Sequence, residues 1–430
     1  MISSLRKNAI LFCLVMVVLL VVQGANPWVW LVVLGSVIGL VWWEIQSPER
    51  DMNRAMQYLE SGDYNGTIAI FSQVLRNHPN YAEGYTQRSK ARYFSGDLEG
   101  AKADCDRAIS LDASQTDAYL GRALILIDQG DYEQSLVDLN AGVQRVDALP
   151  ETTQQGYAKI YVSRAVVRNL LGDGAGALVD SDRTLALMPD YIDAYRARGD
   201  AHRLLKNFEL AIADYTYGLQ QSSQWSDFEV AIVYLNRGRA YQGLGRYDEA
   251  MANYTQAMEV HSQLSDAFTY RGMMHIYRNN FEEGLKDFLH CTQIAPSWAS
   301  YYNQAVIQNL IGRLDEALAS LNECLTLDEA IHEAYYFRGN LHYQADNKSQ
   351  AATDFQKALA LESETNKRDI DPEDQHGFYQ RGLARHHMGN RDQALIDLHQ
   401  AAQIAQQHRD QGFYKRVMST LNQVQNSHKF

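Results

Sequence analysis

Four cysteines in 430 residues (Cys13, Cys105, Cys291 and Cys324) are too few and too scattered for a disulfide framework or a zinc site. Positive charge is also short. Lys and Arg number 39 against 52 Asp and Glu, a formal charge of −13. A chain with that balance lacks the basic face that neutralises phosphates, so no nucleic-acid partner is expected. No serine, cysteine or carboxylate stands in a recognisable nucleophile or acid–base setting. Gly172-Asp-Gly-Ala-Gly176 has no strand before it and no Gly-Lys-Ser/Thr after it, so it reads as a turn and not a phosphate loop. His386 and His387 are neighbours whose side chains diverge on a helix, which disfavours a shared metal. The sequence therefore predicts a non-enzymatic chain with no cofactor and no metal. Cys105, Cys291 and Cys324 fill small or apolar slots, a usage that fits core packing in a reducing compartment.

Charge is missing altogether from Asn8 to Trp43. As one helix this run would span roughly 54 Å, against a hydrocarbon core of about 30 Å. Gly24-Ala25-Asn26-Pro27 interrupts it near the middle, and proline lacks the N–H that a helix interior needs. The expectation is a membrane anchor over residues 1–47, made of two short helices at 9–23 and 28–43. Trp28, Trp30, Trp42 and Trp43 suit the interfaces. Arg6 and Lys7 prefer the cytoplasmic side, and two crossings return the chain there. A cleaved signal ending near Gly24 is a rival, with 28–43 stopping transfer. A single crossing would instead leave an extracytoplasmic array facing cell-envelope components.

Beyond the uncharged run the chain is periodic. Tyr234, Arg237, Gly238 and Tyr241 share one helical face, Gly245 breaks the run, and Tyr247, Ala250, Tyr254 and Ala257 form a second face. The unit recurs with a frame of about 34 residues, starting at Pro48, Ala82, Thr116, Ala158, Ile192, Ala231, Ser265, Trp298, His332 and Gln375. Position 20 is small in every copy, and position 4 is aromatic in all but the first. Glycine holds the turn at Gly62, Gly96, Gly130, Gly172, Gly245, Gly312 and Gly389. Residues 150–157, 226–230 and 366–374 break the even spacing, the last as an exposed loop. Phe413, Val417, Leu421 and Val424 lie on one face of a closing helix, so 409–430 reads as a cap.

A 34-residue repeat with these slots resembles the tetratricopeptide repeat family over residues 48–408. The resemblance implies an all-α chain: a right-handed α-solenoid of about ten hairpins, here preceded by two short transmembrane helices. It also implies a concave groove where protein segments bind, lined by positions 5, 9 and 12 of each first helix. Copies three and four place Leu120, Leu124, Ile127, Val162 and Val166 there. Copies five and six place Arg196, Arg203 and Arg239, and later copies place Tyr270, Tyr277, Tyr302, Tyr336, Phe337, Tyr343, Tyr379 and His386. The family's Lys/Asn clamp for a terminal carboxylate is not reproduced: Asn236 and Asn303 stand at one of its positions, without its lysines. The expected function is a membrane-anchored interaction scaffold. Its partners would be extended or helical protein segments with apolar or aromatic anchors and an acidic part near the three arginines.

One departure from the family pattern is arginine at position 7, from Arg54 to Arg381. Aspartate stands at position 23 in seven of the same copies, as Asp104, Asp138, Asp180, Asp214, Asp287, Asp354 and Asp397. An Arg–Asp tie between the two helices of each hairpin is expected. The eighth copy has Gln304 and Ser320 instead. His202, His275 and His342 share position 11, a core slot, and read as packed histidines.

Overall fold

The hairpin turn is where the local chemistry is plainest. Gly62 adopts φ 79°, its N–H donates to the Leu59 carbonyl at 3.1 Å, and the Asp63 N–H donates to the Tyr58 carbonyl at 2.9 Å. This pair of bonds satisfies carbonyls that the ending helix leaves open, and it needs a left-handed residue. Asp63 then accepts from the Gly66 N–H at 2.8 Å and so caps the next helix. Asp97, Asp131 and Asp173 do the same at their turns. The Gly172–Gly176 stretch is thus a capped turn. The three hairpins without glycine put Lys206, Asn279 and Asp346 into the same left-handed conformation, at φ 57–60°.

The computed structural model describes residues 48–364, 374–408 and 410–426, and all their regular structure is helical. The anchor segments 9–23 and 28–43 lie outside the described residues, as do Cys13 and most of the 366–374 loop. No helix among the described residues is long and apolar enough to cross a membrane. The chain divides into two compact units, Met1–Leu204 and Leu205–Phe430.

The first unit contains α1 (Pro48–Glu60), α2 (Tyr64–Asn77), α3 (Ala82–Phe94), α4 (Leu98–Leu111), α5 (Thr116–Asp128) and α6 (Tyr132–Asp147). A short α7 (Glu151–Gln154) takes up the insertion before α8 (Ala158–Leu170), α9 (Gly174–Leu187) and α10 (Ile192–Leu204). The second unit begins with α11 (Phe208–Gln220), α12 (Asp227–Gly243), α13 (Tyr247–Val260), α14 (Ser265–Tyr277), α15 (Phe281–Ile294) and α16 (Trp298–Leu310). It continues with α17 (Leu314–Leu327), α18 (His332–Gln344), α19 (Lys348–Glu364), α20 (Gln375–His387), α21 (Arg391–Gln407) and α22 (Gln411–Asn426). Within each unit, successive helices pack as antiparallel pairs, and each pair packs on the next. Residues 226–230 are not a loose insertion. Ser226 and Glu229 form a capping box, which lengthens α12 by a turn at its start.

Small residues let the paired helices close. A Cβ added to Gly238 would lie 2.6 Å from the Tyr254 ring, and one added to Gly339 would lie 2.5 Å from Phe355. Both rings are buried, and the Tyr254 hydroxyl donates to Gln242 at 2.7 Å. Cys105, Cys291 and Cys324 are buried free thiols. Burial pushes Cys105 up to about 11 and Cys324 up to about 12, which keeps both as unreactive thiols.

The arginine ties are present. In the first unit, both oxygens of Asp104, Asp138 and Asp180 accept from Arg88, Arg122 and Arg164 at 2.6–2.9 Å. In the second, Asp287, Asp354 and Asp397 accept from Arg271, Arg338 and Arg381 at 2.7–3.1 Å. Each is a fork-on-fork contact between the two helices of one hairpin. Copy six keeps the tie with a neutral acceptor, Asn253, at 2.7 Å from Arg237 Nε. The eighth hairpin replaces it with Gln304 Nε2 donating to Ser320 Oγ at 3.1 Å. Arg198 and Asp214 belong to different units, and within its own unit Arg198 donates to Asp182 at 3.0 Å.

At the end of the second unit α22 buries Phe413, Val417, Leu421 and Val424 against Phe378, Leu398 and Ile404. The turn before it reaches far back along the chain. The His408 carbonyl accepts from the Tyr247 hydroxyl at 2.9 Å, and the His408 ring lies 6.1 Å from that of Tyr277.

Burial also sets a pH response. His376 is pushed down to about 3 by desolvation, with Arg416 adding to it, and His387 down to about 4 by desolvation and His386. Both rings stay neutral in the fold, while an unfolded chain protonates them near 6.5. Below that value the unfolded state binds more protons, so stability falls as the pH drops. Between pH 7 and pH 5 the second unit is expected to lose about 2 kcal/mol from His376 alone, at roughly 1.4 kcal/mol per pH unit. Urea midpoints across this range check it. A flat profile would contradict the neutral burial of both rings.

Candidate functional site

In the first unit the inner sides of α3 and α5 and the start of α8 form a groove of about 410 Å³. All three are first helices of successive hairpins, so this is the surface on which positions 5, 9 and 12 were expected. Tyr93, Phe94, Leu120, Leu124 and Ile160 make its wall, with Lys90, Asp117 and Lys159 as its charged groups. Phe94 is 52% exposed, a large cost for an aromatic left in water. Burial pushes the Asp117 carboxyl up from the usual range, and Lys90 opposes that shift. Leu120 and Leu124 therefore face the groove as expected. Ile127, Val162 and Val166 are not in its lining: Val162 is buried, and Ile127 and Val166 pack against neighbouring cores.

The expected basic cluster is split between the units. Arg196 and Arg203 are half-buried on α10, seven residues apart and so on one helical face. Arg239, in the second unit, lies over the Tyr270 ring with its guanidinium carbon 5.0 Å from the centroid.

The second unit holds an open-mouthed cavity of about 400 Å³. Tyr270, Tyr277 and Tyr302 converge on it together with Trp298, while Glu333, Asp374, Gln375, His376 and His408 supply its polar wall. The Tyr302 side chain is 6% exposed, and its hydroxyl has no hydrogen-bond partner; the same is true of Gln375 Oε1. Burial holds the Tyr302 phenol well above its ordinary range, and the charges of Asp374 and Glu333 add to this. None of these polar partners stood among the expected site residues. They sit at positions 1 and 2, in a loop, and after the tenth hairpin, where the repeat pattern carries no signal.

The remaining aromatics are placed otherwise. Tyr336 and Phe337 are 0% and 1% exposed, in the largest core cluster, and line no groove. The reason is that α20 lies directly on α18, where Asn340 Nδ2 donates to the Gln380 carbonyl at 2.7 Å and to its Oε1 at 2.9 Å. Tyr379 faces the closing helix: its hydroxyl is 3.2 Å from Thr420 Oγ1 and its ring stands edge-on to Phe413. Tyr343 is exposed but stacked on His387 at 3.8 Å, and His386 is half-buried beside that pair. These three do not form one surface with the cavity.

Family models described as tetratricopeptide repeat match residues 52–81, 86–149, 231–262 and 311–374. Among curated proteins, the chain is similar to the DnaJ homolog subfamily C member 7 homolog of Schizosaccharomyces pombe. That match is 27% identical over 173 residues, 37% of this chain and 36% of the relative. The DnaJ protein P58IPK homolog of Arabidopsis thaliana is 27% identical over 174 residues, 38% of this chain and 35% of the relative. The chain thus spans about a third of the length of these relatives. Among solved structures, a tetratricopeptide repeat protein from Parabacteroides merdae aligns with 63% of this chain and 99% of its own, at 18% identity and a TM-score of 0.44. Yeast Tom70 aligns with 90% of this chain and 98% of its own, at 13% identity and a TM-score of 0.38. The hairpins, their capped turns and the family matches converge on one statement: the matched stretches of this chain are tetratricopeptide repeats.

Proposed function

We propose that the chain is an interaction scaffold that holds segments of partner proteins on the inner faces of its repeats. The observation that carries this reading is the apolar groove of the first unit, with Phe94, Leu120 and Leu124 turned toward solvent on adjoining first helices. An amphipathic helix or extended segment laid there would bury its apolar anchors and leave its polar side in water. Arg196 and Arg203, on one face of α10, suit acidic residues of the same segment. The uncharged run from Asn8 to Trp43 supports mooring of the scaffold to a membrane through segments 9–23 and 28–43. Arg6 and Lys7 favour the cytoplasmic side for the repeats. Mooring would concentrate partners at the bilayer, which suits assembly of a membrane complex.

Leu120→Glu combined with Leu124→Glu is expected to reduce partner crosslinking in intact membranes by at least about tenfold, as two lost apolar anchors imply. Both residues are partly exposed, so circular dichroism should match the parent. Undiminished crosslinking in a folded variant would rule the groove out as the docking surface. A reporter fused after Phe430 reads which side of the membrane holds the repeats.

A further inference from the structure

The open-mouthed cavity of the second unit differs from the first-unit groove in having no spare charge to offer. Neither lysine nor arginine lines it, and burial keeps His376 neutral. Both carboxylates in its wall are already engaged. Asp374 accepts from the N–H groups of His376 and Gly377 at 3.0 and 2.9 Å, and Glu333 Oε2 lies 3.3 Å from His332 Nδ1. What the lining has to spare is hydrogen-bond donors. The Gln242 amide oxygen accepts from the Tyr254 hydroxyl at 2.7 Å, which leaves its Nε2 to donate. The Trp298 indole, the Asn303 amide and the Tyr270 hydroxyl make no hydrogen bond among the described residues. The indole N–H can only donate. These groups stand among rings. Trp298 is 40% exposed, Tyr270 and Tyr277 share one face of α14, and Met273, Ile276 and Val306 supply an apolar floor.

Spare donors beside aromatic rings suit a ligand that brings carbonyl oxygens and apolar bulk but few N–H groups of its own. Proline has that character: it keeps the carbonyl, lacks the N–H, and presets the extended polyproline helix. We infer that the second-unit cavity is a docking site for a proline-rich segment of a partner protein. Its proline rings pack on Trp298 and Tyr277, and its carbonyls accept from Asn303 Nδ2 and Gln242 Nε2. About 400 Å³ has room for about one turn of such a helix, three residues long. The seven prolines of this chain are all isolated from one another, so the occupant belongs to another chain. The inference rests on the reading that the repeats hold protein segments, and not on the groove of the first unit.

Calorimetric titration of the full-length chain with hexaproline tests it, beside a hexapeptide of alternating alanine and glycine that restores the N–H groups. Hexaproline should bind, and the control at least tenfold more weakly. Asn303→Asp keeps the shape and turns a donor into an acceptor; it should weaken hexaproline at least tenfold with an unchanged melting temperature. Trp298→Ala should do likewise, and Asn303→Asp decides the matter if that second variant is destabilised. Leu120→Glu with Leu124→Glu should leave hexaproline binding as in the parent; a loss there would move the peptide to the first-unit groove and overturn the assignment. No binding of hexaproline, equal binding of the control, or binding equal in parent and Asn303→Asp also overturns it. Partner crosslinking that depends on Leu120 and Leu124 would survive each of these results, so the scaffold reading is judged separately.

Discussion

Asp180→Ala is expected to destabilise the first unit by about 3–5 kcal/mol, the cost of leaving buried charge without its partner. Asp180 is almost wholly buried and accepts from three guanidinium nitrogens: Arg164 Nε at 2.9 Å, Arg164 Nη2 at 2.6 Å and Arg168 Nη1 at 2.8 Å. Removing the carboxylate takes the charged acceptor from two arginines at once, leaving Arg168 the Gly176 carbonyl and Arg164 the Asn140 amide oxygen, each at 3.0 Å. Arg164→Ala should cost less, because Arg168 still faces the carboxylate. The double variant should lose less than the sum of the two, by roughly 1–3 kcal/mol of coupling. Replacing all three groups, Arg164→Met and Arg168→Met with Asp180→Leu, exchanges the tie for apolar packing and is expected to lie near the parent. Urea denaturation of the four chains reads all of this. Additive losses would mean that the forks, for all their geometry, contribute nothing jointly.

Phe337→Ala is expected to cost about 3–5 kcal/mol, as aromatic truncations in packed cores do. Its ring stands edge-on to Tyr302 at 5.8 Å, and its neighbour Tyr336 donates to Glu362 at 2.8 Å. Tyr336→Ala belongs in the same range, since Arg381 and Arg385 still hold the Glu362 carboxylate and the lost ring sets the cost. Tyr343→Ala, which removes only a stack on His387, should cost about 1 kcal/mol. Thermal melts of the three variants give the ranking. Equal and small effects would put Phe337 back at a solvent-facing surface and restore a docking role to the ninth hairpin.

These two cases mark where the sequence was readable and where it was not. A tie between positions 16 residues apart repeats in register, so the Arg–Asp forks could be read from spacing alone. The substitutes needed coordinates: Gln304 with Ser320, and the left-handed Lys206, Asn279 and Asp346, depart from the residue types that announce the feature. Tyr336 and Phe337 were expected on an open face because one hairpin pattern was carried through every copy. In the ninth copy the neighbouring first helix covers that face. The aromatic run Tyr335-Tyr336-Phe337 was the cue, since a helix apolar on all sides is buried on all sides. The cavity around Tyr302 was half legible. Its aromatics obey the repeat, but Glu333, Asp374 and His408 meet there only through contacts between distant parts of the second unit.

The hydrogen bond from Tyr247 to the His408 carbonyl has a consequence for how the second unit comes apart. A ladder whose rungs touch only their neighbours frays from its free end, one rung at a time. Here the end of α21 is fastened to a rung near the beginning of the unit, so peeling α21 away also breaks a contact 161 residues upstream. Amide exchange in α13 and α21 should then be lost together, as one block and not as a gradient.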